Sequence, residues 1–114
     1  MLLTNLRHIE SSSEYEKFIK ENNNVMICCG RMGPMCTPVY KIMEILEKEY
    51  LHVKFADMDF ENPDAYIITM SPACKNFIGL PFTLYYKDGK VVKATASIQT
   101  KEQIKAILDT EFPS

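Results

Sequence analysis

Apolar residues recur along the chain with two periods, and the switches between them mark out its elements. Leu6–Ile9 reads as a short strand. In Glu14–Glu21, Tyr15, Phe18 and Ile19 fall at helical spacing, and Ser13 with Glu16 supplies a capping box. Asn22, Asn23 and Asn24 form a turn. Val25–Cys28 is apolar at every position, as a strand buried on both faces must be, and this predicts a central parallel strand. From Cys36 to Tyr50 the helical period returns through Val39, Ile42, Met43, Leu46 and Tyr50, with Lys41, Glu44, Glu47 and Lys48 on the other side. Pro38 fits this helix because it lies in the first turn, where a missing N–H removes no bond.

His52–Asp57 is the next predicted strand. Asn62-Pro63 caps a helix over Asp64–Met70, and Ser71-Pro72 repeats that grammar for a shorter one through Asn76. Phe82–Tyr86 and Val91–Ala96 flank Lys87-Asp88-Gly89-Lys90, whose Asp-Gly pair is a hairpin signal. A last helix runs from Lys101 to Thr110, capped by Thr100 with Gln103 and stopped near Pro113. The order is βαβαβ, a helical segment, then ββα.

At 114 residues this is one α/β domain with a single core. A net charge of −2 provides no basic field for nucleic acid, and no apolar segment is long enough to span a bilayer or form a signal-peptide core, so a cytoplasmic address is expected. In a reducing compartment four cysteines point to redox chemistry or metals and not to a secreted disulfide scaffold.

Candidate chemistry concentrates at the junction Cys29-Gly30-Arg31-Met32-Gly33-Pro34-Met35-Cys36, between the central strand and the long helix. A helix start carries unpaired N–H groups and the positive end of the macrodipole, which favours a thiolate there. The junction resembles the thioredoxin family, whose signature is Cys-Gly-Pro-Cys after a central strand. The resemblance extends over nearly the whole chain: Val53-Lys54-Phe55-Ala56-Asp57-Met58-Asp59 with Asn62-Pro63 looks like the family's second central strand and its exit. Gly79-Leu80-Pro81-Phe82-Thr83 resembles the segment whose proline is cis and faces the active-site loop, and Lys87-Asp88-Gly89 matches the hairpin tip. It implies a thioredoxin fold over residues 1–114, a central mixed sheet flanked by helices.

The departures from the family pattern are specific. Its buried aspartate falls on Val25-Met26-Ile27, so no carboxylate is expected beneath the site; tryptophan is absent, and the segment from Pro63 to Pro81 is longer and contains Cys74. An ungapped match puts Met32 and Met35 in the two cysteine slots but turns Pro38 and Lys41 inward. A one-residue shift buries Val39, Ile42, Met43 and Leu46, puts Cys36 in the second, shielded slot and leaves Gly33 in the first.

The expected redox pair is therefore Cys36 with Cys29, supported by Arg31 if its guanidinium turns inward, with Cys74 as a candidate resolving thiol and Cys28 as a core residue. Met32, Gly33, Pro34, Met35, Leu80 and Pro81 would form the substrate surface. The leading expectation is an atypical protein-disulfide oxidoreductase without cofactor or metal, acting on protein disulfides and regenerated by an upstream reductase. The alternatives are a redox-inactive binding module that uses the Pro81 groove, and Cu(I) handling by the methionine and cysteine sulfurs. His8 and His52, at strand starts, are expected to be ordinary surface or edge residues.

Overall fold

The computed structural model describes residues 2–114. Among them, strand β1 (Arg7–Ile9) leads through helix α1 (Ser12–Glu21) to β2 (Asn24–Gly30), then through α2 (Thr37–Leu46) to β3 (Lys54–Asp59). A 3-10 turn at Pro63–Ala65 runs into the one-turn helix α3 (Tyr66–Thr69), and a second follows at Pro72–Cys74. The hairpin β4 (Phe82–Lys87) and β5 (Lys90–Ala96) precedes α4 (Lys101–Glu111). The strands form one mixed sheet ordered β1-β3-β2-β4-β5. β2 sits at its centre, parallel to β3 and antiparallel to β4, which explains its unbroken apolar run.

Strand alternation divides the core between the two sheet faces. On one face Met26 and Cys28 of β2 pack with Val39, Tyr40, Met43 and Leu46 of α2 and with Ile104 and Leu108 of α4. On the other, Val25, Ile27 and Cys29 pack with Tyr15 and Phe18 of α1 and with Ile68 and Cys74 of the following helical segment. The second face also holds a buried polar contact, a 2.7 Å hydrogen bond between the hydroxyls of Tyr15 and Tyr86. Asp88 and Gly89 both have positive φ, 51° and 82°, as the two-residue turn between β4 and β5 requires.

Several boundaries differ from the sequence reading, each for a local reason. The cap of α1 is Ser11, whose Oγ accepts the Glu14 N–H, while the Glu14 carboxylate takes the Glu10 N–H; the expected Ser13 and Glu16 box lies two residues too late in a run of three serines. α2 stops at Leu46, not Tyr50, and the chain leaves through turns in which Leu46 O accepts from Glu49 and Tyr50. β3 consequently starts two residues later than expected. The region expected to hold two helices is mostly 3-10, with the Asn62 and Ser71 caps in place. The Thr100 and Gln103 capping box of α4 is present in both directions. No helix of the described residues is long and apolar enough to cross a membrane.

Candidate functional site

The β2–α2 junction is built around a glycine. Gly30 ends β2 pointing to the same face as Cys28, and a Cβ there would lie 2.6 Å from the Tyr40 hydroxyl, 2.8 Å from Cys36 Sγ and 3.1 Å from Pro81 Cβ. The missing side chain therefore lets the start of α2 descend onto the strand. The Leu80–Pro81 peptide bond is cis. The Cys36 sulfur, the Tyr40 hydroxyl and Pro81 thus converge on the space beside Gly30, and the sulfur accepts the Arg31 backbone N–H at 3.5 Å. Tyr40 fixes the same loop by donating to Arg31 O at 3.1 Å.

The first turn of α2 shows which register the sequence adopts. Gly33 O accepts from the N–H groups of both Cys36 (3.3 Å) and Thr37 (2.9 Å), so a turn closed on Gly33 leads into α2, with Cys36 as its N-cap. Gly33 holds the position three residues before Cys36, and a Cβ added there would meet nothing within 4 Å. Met32, Gly33, Pro34, Met35, Cys36 and Leu80 line one groove of about 460 Å³ together with Arg31, Phe60 and Ile78. Met32 and Met35 are each close to half exposed, and Ile78 is fully exposed, so the rim is apolar. Cys36 lies at the groove floor, 4% exposed.

Arg31 does not turn toward the thiol. Its guanidinium lies over the Phe60 ring, 4.9 Å from the centroid, and pairs with Glu61 at 2.7 Å.

The four cysteines are free and buried. Cys28 and Cys36 belong to the face that carries α2, whereas Cys29 and Cys74 belong to the opposite one. The structure therefore does not bring Cys29 and Cys36 together by packing, because adjacent strand residues point to opposite faces. Cys74 is likewise on the Cys29 side and is not placed with Cys36. Burial pushes the Cys29 thiol up to about 12, with the nearby Cys74 the next largest influence. Burial also raises Cys28 well above its ordinary value, partly offset by the Thr83 hydroxyl, which donates to its sulfur at 3.7 Å.

A buried carboxylate, absent from the sequence expectation, comes from the neighbouring strand. Asp57 on β3 is the register partner of Cys28 and lies on the same face, only 1% exposed. Its Oδ1 is 2.6 Å from His8 Nδ1, and its Oδ2 accepts the Thr4 hydroxyl. Burial raises its pKa above the ordinary 3.8, against the pull of those hydrogen bonds. His8 is thus the partner of a buried acid and not an ordinary edge residue; it stands opposite Asp57 because β1 pairs with β3, a placement that no local pattern in the sequence carries. His52 is also engaged, its Nε2 2.8 Å from Phe112 O.

A parallel β1-β3-β2 unit extended by an antiparallel hairpin, with a strand-to-helix loop facing a cis proline, defines the thioredoxin fold. Solved structures agree: the chain is similar to Plasmodium falciparum thioredoxin, at 18% identity over 92% of this chain and 98% of that one, with a TM-score of 0.77. Thioredoxin f2 of Chlamydomonas reinhardtii aligns over 96% of this chain and 98% of its own at 13% identity, TM-score 0.77. Oxidised mitochondrial thioredoxin 3 of Saccharomyces cerevisiae aligns over 91% and 94% at 20% identity, TM-score 0.74. No protein-family model matches the sequence, and no curated protein sequence matches it.

Proposed function

We propose that the protein is a thioredoxin-like thiol–disulfide exchange protein in which Cys36 is the thiol that meets the substrate. The carrying observation is the position of the Cys36 sulfur on the floor of an apolar groove, beside Gly30 where Pro81 also converges, and under the Arg31 N–H. An extended substrate segment lies along Leu80 and Pro81, its apolar side chains meet Met32, Met35 and Ile78, and Cys36 attacks its disulfide to give a mixed disulfide and a free substrate thiol. A protein disulfide is then the substrate, and a reductase restores the thiol.

The test is intact-mass analysis after incubation with a disulfide-bonded peptide, with and without Cys36→Ser, alongside steady-state reduction of a protein disulfide. An adduct that maps to Cys36 and vanishes in the variant supports the reading. Failure of Cys36 to exchange with any disulfide overturns it in favour of a binding module, the reading that the glycine in the first slot and the shallow exposure of Cys36 favour.

A further inference from the structure

We infer that Cys28, at the centre of β2, is the intramolecular partner of Cys36, so that the two cycle between a dithiol and a disulfide across the Gly30 gap. The inference rests on the reading of Cys36 given above and adds its missing second thiol. Cys28 and Gly30 point to the same face, and same-face positions on a strand lie about 7 Å apart. The Cys36 sulfur stands 2.8 Å from where the Gly30 Cβ would be, directly beside this row. The Cys28 side chain shares this face, and closing the bridge requires the start of α2 to move along the strand until the two Cα atoms are within about 6.8 Å. Cys29 has no such path, because the sheet separates it from α2.

Two further observations agree. Tyr40 packs in one core cluster with Cys28 and Cys36, and its phenol, held up first by burial, feels both sulfurs. Thr83 on β4 donates its hydroxyl to Cys28 at 3.7 Å, which orients the sulfur and gives it a polar neighbour. Such a partner is fully shielded from solvent, so it meets only a sulfur already carried into the groove by Cys36.

The cycle balances. Cys36 gives up its proton, its thiolate attacks the substrate disulfide, and the substrate thiolate released takes a proton. Cys28 then gives up its proton and attacks the Cys36 sulfur, breaking the mixed disulfide. The second substrate thiolate leaves and takes a proton, so the substrate disulfide gains two electrons and two protons while the cysteine pair loses them.

The experiment oxidises the intact protein with oxidised glutathione and follows mass and peptides. Cleavage after Arg31 separates Cys36 from the peptide that carries Cys28 and Cys29, and fragmentation between those two residues tells them apart. The expected result is a two-hydrogen loss with Cys36 joined to Cys28, retained in a Cys29→Ala, Cys74→Ala double variant. Cys28→Ala should instead hold the glutathione adduct on Cys36. If Cys28→Ala fails to fold, the wild-type peptide map alone decides. A persistent Cys36 adduct with Cys28 free, or a bridge from Cys36 to Cys29 or Cys74, overturns the pair while leaving Cys36 as the exchanging thiol. A Cys36 that never reacts overturns both readings.

Discussion

At the scale of single residues, the site depends on an absence, the side chain that Gly30 lacks. Gly30→Ala places a methyl within contact distance of Tyr40, Cys36 and Pro81 at once, and no one of them can move aside without displacing the next. Overpacking of this kind costs about 1–3 kcal/mol, and here it also lifts the first turn of α2. The expected outcome is a lower denaturation midpoint together with faster alkylation of Cys36, measured by urea titration and by mass spectrometry. A stable variant with unchanged Cys36 labelling would show that the close approach is not needed. Asp57 gives a pH signature. Its folded pKa is raised above 3.8, so the folded state holds the proton more tightly than the unfolded chain. The stability this represents is complete below about pH 3.8 and is lost as pH rises through the raised value. Asp57→Asn removes that dependence, so thermal melts between about pH 4 and pH 7 should show the wild type losing ground to the variant as pH rises. Parallel melting curves would mean that the carboxylate titrates as it does in water.

At the scale of elements, the question is where α2 begins. Periodicity put Cys36 and not Met35 in the second slot, and the two hydrogen bonds to Gly33 O agree with that register. Gly33→Cys tests it directly, because the new side chain enters open space one helical turn before Cys36. The variant should lose two hydrogens on oxidation through a bridge between positions 33 and 36 and should reduce a test disulfide faster than the wild type. Were residue 32 the true first slot, Met32→Cys would give the bridge and Gly33→Cys would not. The same element shows what the sequence could reveal. The apolar stripe of α2, the doubly buried β2, the hairpin tip and the α4 capping box all arise from local chemistry, and all were legible. The site was only half so. Cys36 and the groove residues follow from a turn and a period, but the face on which Cys28 and Cys29 fall depends on where β2 starts, and one residue reverses the choice. The approach of His8 to Asp57 is a pairing across 49 residues, invisible to any window along the chain.

For the molecule as a whole, depth in the fold sorts the four thiols into three classes of accessibility. Cys36 opens to a groove, whereas Cys28 and Cys29 lie on the two faces of the central strand and are released only when the sheet itself comes apart. Cys74 is also buried, but it ends a short 3-10 turn held by few hydrogen bonds, so its exposure needs only a local opening. Labelling the native protein with iodoacetamide near neutral pH should therefore proceed in three steps: Cys36 first, Cys74 next, and Cys28 with Cys29 together at the rate of global unfolding. Added denaturant should accelerate the last step steeply, because it exposes the most surface, and the first hardly at all. The raised thiol values of Cys28 and Cys29 reinforce the order, since a protonated thiol alkylates slowly even when an opening reaches it. Early labelling of Cys29 in the native state would mean that β2 is not the closed centre of the sheet, and the separation of the two thiol pairs would go with it.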